Sequence, residues 1–105
     1  MSEIVILSTT DAPEMARQIA VAIVEAHEAA CVNIVPAIRS IYRWKGKVQD
    51  EGECLLLIKS TSEKFEAVRS RIRQLHTYQT PEVIALPITA GDPDYLAWLN
   101  SAIID

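Results

Sequence analysis

Few side chains in this sequence can do chemistry, and their spacing narrows what they can do. The chain has two histidines and two cysteines. Metal centres need His, Cys or carboxylates at ligand spacing, and no CxxC, HxH or HExxH occurs. His27 and Cys31 are four residues apart, but they align only on a continuous helix, and the chain changes to strand character at Cys31. Cys31 and Cys54 therefore read as small buried hydrophobes, and His27 as a surface helix residue. His76 leaves a helical segment into a polar loop that holds Tyr78 and Glu82. Its imidazole is either a ligand for a soft or borderline metal such as copper, or a helix-terminal group favoured by the dipole. No G-x-S-x-G elbow offers a nucleophile, and Gly46, Gly52 and Gly91 stand alone, so no phosphate cradle is present. Asp50 and Glu51 are adjacent in a strand and point to opposite faces. The remaining polar cluster is Lys59, Tyr78 and Glu82, at strand ends the topology can bring together. It is either a structural salt bridge or a ligand pocket. No reaction follows from these groups, and a non-enzymatic protein is expected.

Such residues need a scaffold, and the composition bounds it. A chain of 105 residues has room for one domain, here residues 1–105. With 50% hydrophobic and 23% charged residues it folds rather than staying disordered. Fourteen acidic against ten basic residues give a formal net charge of −4, which argues against nucleic acid as a partner. The start has no basic leader and no long apolar core, and no stretch reaches the ~20 apolar residues of a membrane span. A reducing, cytoplasmic location without disulfides is expected.

The order of elements follows from hydrophobic period and punctuation. Ile4-Val5-Ile6-Leu7 reads as a strand buried on both faces. Pro13 opens a helix over about residues 13–29, with Met15, Ile19, Ala22, Ile23 and Ala26 on one side. A strand from Cys31 meets Pro36, which implies a bulge or an edge, and resumes through Ile38 to Trp44. Trp44-Lys45-Gly46-Lys47 is a hairpin turn. The return arm, Val48 to Lys59, ends in a run, Cys54 to Ile58, that is again apolar on both faces. Ser60 to Glu63 has capping-box spacing before a second helix with Phe65, Val68, Ile72 and Leu75 on its buried side. Residues 82–88 form a last strand. Asp92 and Pro93 start a third helix with Tyr95, Leu96, Trp98 and Leu99 on its apolar side. The order β-α-β-β-α-β plus a terminal helix is an α+β, ferredoxin-like sandwich with a long central β-hairpin.

That hairpin outreaches the body. Arms of about 13 residues at ~3.3 Å each span about 40 Å, against roughly 33 Å for the diameter of a globule this size. The tip carries Ile41, Tyr42 and Trp44 and presents open strand edges. Docking on sister copies shelters both, which predicts a closed homo-oligomer. The alternative is a hairpin folded back on its own sheet at a bend near Pro36. Arg39, Arg43, Lys45 and Lys47 face Asp50, Glu51 and Glu53, which reads as cross-strand charge pairing.

Four segments carry a resemblance. They are Ala29-Ala30-Cys31-Val32-Asn33-Ile34-Val35-Pro36, Ser40-Ile41-Tyr42-Arg43-Trp44-Lys45-Gly46-Lys47, Tyr78-Gln79-Thr80-Pro81-Glu82 and Gly91-Asp92-Pro93-Asp94-Tyr95-Leu96-Ala97-Trp98-Leu99. In this order they resemble the CutA family of divalent-cation tolerance proteins. The resemblance implies a ferredoxin-like homotrimer whose hairpins embrace neighbouring copies, a link to divalent metal and copper tolerance, and heat resistance. It also implies a likeness to PII-type signalling proteins, so the alternative function is a PII-like signal carrier or protein-interaction scaffold without metal. Members with a proposed copper site carry a Cys at the end of the first strand and two adjacent His after the second helix. Ser8 and Leu75-His76 stand there in this chain, so only His76 is retained, and weak binding of copper or another divalent cation is expected. Ala37 replaces the family's usual Gly after the Pro. The expected cleft between copies uses His76, Lys59, Tyr78 and Glu82, with Tyr42, Trp44 and Glu51 supplied by a neighbour's hairpin.

Overall fold

In the computed structural model residues 2–104 are described. β1 (Glu3–Thr10), α1 (Pro13–Glu25), β2 (Cys31–Trp44), β3 (Lys47–Thr61), a 3-10 turn (Ser62–Lys64), α2 (Phe65–Leu75), β4 (Ile84–Pro87) and α3 (Pro93–Ile103) follow in that order. The four strands form one sheet in the order β2-β3-β1-β4 with every neighbouring pair antiparallel. This is the ferredoxin-like α+β arrangement read from the element order.

α1 and α2 cover one face of the sheet. Ile4 and Ile6 of β1, Leu56 and Ile58 of β3, Ile19 and Ile23 of α1, and Val68 and Ile72 of α2 form the main core. The other face is different. Val5, Leu7, Leu55 and Leu57 are only half-buried, so β1 is not buried on both faces as its continuous apolar sequence suggests, and the 54–58 run, apolar on both faces, is fully buried on one. The helices are used up on the first face. α3 reaches the second face at one end only, where Leu99 and Ile103 pack on Ala30 in a separate cluster and Asn100 Nδ2 donates to Glu3 Oε2 at 2.8 Å.

Several local expectations hold. Register shifts between Val35 and Ile38, around Pro36, as a residue without an N–H requires. At the hairpin turn Lys45 (φ 51°) and Gly46 (φ 79°) are both left-handed, the requirement of a tight turn matched to strand twist. Asp92 caps α3, its carboxylate accepting from the Tyr95 N–H at 3.1 Å, with Pro93 in the first turn.

Others do not. α1 stops at Glu25 rather than near residue 29, because His27 takes a left-handed φ of 58° and the N–H groups of His27 and Glu28 bond back to Val24 and Ile23. That pattern is a Schellman ending built on a histidine instead of glycine. The capping box at Ser60–Glu63 does not form. Ser60 stays in β3 opposite Ile4, and its Oγ donates to the Glu28 carbonyl at 2.6 Å. β4 is shorter than residues 82–88. On α3 it is Leu99 and Ile103 that turn inward, while Tyr95 and Trp98 stack at 5.5 Å and remain exposed, Trp98 at 46%.

The molecule measures 44 × 26 × 22 Å, the long axis being set by a hairpin that does not fold back. Ile41 (68% exposed), Val48 (64%) and Trp44 (40%) stand in solvent at its end. Among the described residues no helix is long and apolar enough to cross a membrane.

Candidate functional site

An open cleft of about 680 Å³ runs between β2, the end of β1 and the loop after α2, from Glu53 and Tyr78 at the hairpin base out along the ribbon to Trp44 near its end. Its walls include Tyr42, Trp44, Glu53, Tyr78 and Glu82.

The loop is held by His76, the residue that ends α2. Its Nε2–H donates to the Thr9 carbonyl at 2.7 Å, and its Nδ1 accepts from the Tyr78 N–H at 3.1 Å. Because the backbone N–H can only donate, Nδ1 is the acceptor and Nε2 carries the proton. The imidazole thus clamps the loop to the end of β1, with its ring 4.5 Å from that of Tyr78. Tyr78 is thereby turned into the cleft, where its hydroxyl donates to Glu53 Oε2 at 2.7 Å. Glu53 is only 8% exposed, although it sits at the end of an acidic run. On the opposite wall the Tyr42 hydroxyl donates to Glu51 Oε1 at 2.7 Å. Arg39 Nε donates to Asp50 Oδ1 at 2.6 Å.

These carboxylates dominate the local field. Burial, then the hydrogen bond and charge of Glu53, push the Tyr78 phenol well above the ordinary tyrosine range. The Tyr42 phenol is raised first by its bond to Glu51, then by burial and by the charges of Glu51 and Glu53. Both hydroxyls stay protonated donors throughout neutral and mildly alkaline conditions.

The cleft joins Tyr42, Trp44, Tyr78 and Glu82, with Glu51 behind Tyr42 and His76 behind Tyr78. Lys59 is elsewhere. It lies opposite Val5 and Cys31, its Nζ donates to Asn33 Oδ1, and six residues of strand, ~20 Å, separate it from Glu53. The expected pairing of Lys59 with Glu82 is therefore replaced by a bond to a neighbouring strand. Only part of the expected charge ladder forms. Arg39 meets Asp50, but Arg43 donates to the Gly46 carbonyl at 3.4 Å and Lys45 Nζ lies 5.9 Å from the Trp44 ring centroid.

Glu53 is the residue that sequence reasoning missed. Read with Asp50 and Glu51 it belongs to a solvated ribbon. The available signal was its place as the last charge before the apolar run 54–58, where ribbon becomes body.

A resident divalent ion does not fit one copy of this chain. Among the described residues no three His, Cys, Asp or Glu side chains converge. Both His76 nitrogens are engaged, and coordination at either breaks a bond to the backbone. Ser8 Oγ is buried and has no hydrogen-bond partner among the described residues, on the helix-covered side opposite Leu56.

A family model described as CutA1 divalent ion tolerance protein matches residues 4–102. The divalent-cation tolerance protein CutA of Thermus thermophilus is 50% identical over 98 residues, 93% of this chain and 95% of that protein. The crystal structure of CutA from Xylella fastidiosa superposes with a TM-score of 0.95 at 36% identity, covering 99% of this chain and 100% of that one. A structure from Archaeoglobus fulgidus, described as a periplasmic divalent cation tolerance protein CutA, gives a TM-score of 0.94 at 35% identity, covering 97% and 99%.

Proposed function

The chain belongs to the CutA1 divalent ion tolerance family, and on that premise we propose that it is a non-enzymatic, homotrimeric ligand-binding protein of metal-ion tolerance, acting in the cytoplasm. The cleft at the hairpin base is its binding site, completed by a neighbouring copy. Copper or another divalent cation is held there weakly, through Glu82 and Glu53, rather than in a resident centre. The observation that carries this reading is the cleft itself, an open space beside a largely buried Glu53 that the Tyr78 hydroxyl holds in place.

Assembly is supported by the second face of the sheet. Val5, Leu7, Leu55 and Leu57, with Ile84 and Leu86 of β4, make an apolar surface that no element among the described residues fully covers away from α3. Apolar area of this kind gains about 25 cal/mol per Å² when removed from water. The exposed hairpin end has the same need. Burial between copies would also add heat resistance to a small core.

Sedimentation equilibrium at micromolar concentration tests the assembly. A mass near three times 11.7 kDa is expected, and a monomer overturns it. Copper titration of the native protein and of Glu82→Gln tests the site. Weak heat that the substitution diminishes is expected, and identical heats in both remove Glu82 from it. A trimer that binds no cation but captures one protein stoichiometrically favours the other reading, a PII-like carrier or scaffold using the same open face.

A further inference from the structure

We infer that the part of the hairpin beyond the sheet, residues 38–53, is a hinged arm. Its pivot is the bulge at Pro36 and Ala37, and the Tyr78–Glu53 hydrogen bond is the latch that fixes its angle. The device is independent of what the cleft binds.

The pivot lies where support ends. β1 accompanies β3 only as far as Thr10, opposite Cys54. Farther out, among the described residues, β3 has β2 as its one strand neighbour, and a two-stranded ribbon is marginal by itself. The bulge falls at that same level. Val35 pairs with Leu55 and Ile38 with Glu53, so Pro36 and Ala37 stand against Cys54 alone. An extra residue interrupts the ladder and bends its strand, and Pro36 has no N–H to restore it. On the opposite strand Gly52 adjoins the break. Its φ is not left-handed and an added Cβ would meet nothing within 4 Å, so neither backbone nor packing demands glycine there. A glycine inside a strand leaves the backbone freer than other residues would.

The latch is a single contact. Arg39 with Asp50, Tyr42 with Glu51, and Arg43 with the Gly46 carbonyl all stay within the arm. Among the described residues one hydrogen bond joins residues 38–53 to anything outside β2 and β3, the 2.7 Å bond from the Tyr78 hydroxyl to Glu53 Oε2. A charged acceptor makes it one of the stronger single contacts. Its other end is anchored, because His76 ties the loop to the Thr9 carbonyl at 2.7 Å. The latch thus fastens the arm to β1. Leverage makes it decisive. Lys47, at the turn, is six residues from Glu53, about 20 Å of strand, so a small rotation at the bulge is magnified at the tip. The cleft lies in the angle between arm and loop, with Tyr42 and Trp44 on one side and Tyr78 and Glu82 on the other. Latched, that space keeps its width; unlatched, the arm is free to narrow or widen it.

Amide residual dipolar couplings of the weakly aligned protein, in whatever assembly it adopts, compare the arm with the sheet core at residues 54–60. The native protein is expected to fit one alignment tensor throughout. Tyr78→Phe, which removes only the hydroxyl, is expected to shrink the couplings of residues 38–53 by about a fifth or more relative to the core, the difference between rigid and flexible backbone. Glu53→Ala should do the same, and the double variant no more than either alone. Glu53→Gln should keep the native couplings, because its amide oxygen still accepts from Tyr78. Tyr78→Phe keeps the ring and suffices should Glu53→Ala fail to fold. One tensor fitting arm and core in Tyr78→Phe overturns the inference, whether neighbouring copies or the ladder then hold the arm. So do arm couplings already reduced in the native protein, and so does a loss confined to the turn, residues 44–47, which is fraying of the end. Glu53→Gln behaving as Glu53→Ala also overturns it, since the charge and not the bond would then fix the arm.

Discussion

The two faces of the one sheet have nearly the same composition and different fates. Along β3, Leu56 and Ile58 are fully buried under α1 and α2, while Leu55 and Leu57, one residue away on the same strand, remain half-exposed. Alternation assigns each residue to a face, but it does not supply the cover. The first face is a finished core and the second a half-exposed apolar surface. The hairpin extends the contrast: its base is pinned by Glu53 and Tyr78, and its end is open to solvent.

Substitution on each face measures the difference. Leu56→Ala is expected to cost about 2–5 kcal/mol, since the helices above it relax only partly around the cavity, read by urea denaturation. Leu57→Ala is expected to cost about 1–2 kcal/mol in dilute protein, in proportion to its smaller burial. With increasing protein concentration that cost should rise toward the Leu56 value as copies cover the face. A cost that is small and independent of concentration would mean the second face stays open. At the end of the ribbon, Gly46→Ala is expected to cost about 1 kcal/mol through the left-handed backbone alone, because no atom lies near the added methyl. A larger loss, growing with concentration, would show the turn to be buried between copies.

The smallest effect is electrostatic. Tyr78 and Tyr42 hold their protons more tightly in the folded chain than the ordinary value of 10.0. Above about pH 10 the unfolded chain gives up these protons first, so it binds fewer protons than the folded one and stability falls as pH rises. Below that pH the contribution is fully present. The thermal midpoint followed from pH 8 upward is expected to drop past about pH 10, with a shallower drop in Tyr78→Phe. An unchanged slope would mean Tyr78 is not held against Glu53.

Much of the fold was legible because its signals are local. Pro36 lacks the N–H a ladder needs, Gly46 tolerates the turn, and Asp92-Pro93 opens a helix wherever it occurs. Errors arose where a distant partner decided. Ser60 looks like a cap, yet the Glu28 carbonyl, 32 residues away, takes its hydroxyl. His27 ends α1 without glycine, which no spacing rule announces. His76, left open between a metal ligand and a helix-terminal group, stands at the end of α2 with both of its nitrogens holding the loop. Lys59 and Glu53 were exchanged for the same reason. Strand register sends Lys59 toward Asn33 and Glu53 toward Tyr78, and register is set by pairing across the sheet.

The order of strands and helices, the length of the ribbon and its aromatic end were determined by the sequence alone, since periodicity and turn residues act over a few positions. Which face of the sheet is dry and which tyrosine meets which carboxylate were decided by tertiary structure. Those outcomes depend on what packs against a side chain from far along the chain, and a linear pattern of polar and apolar residues carries no record of that distance.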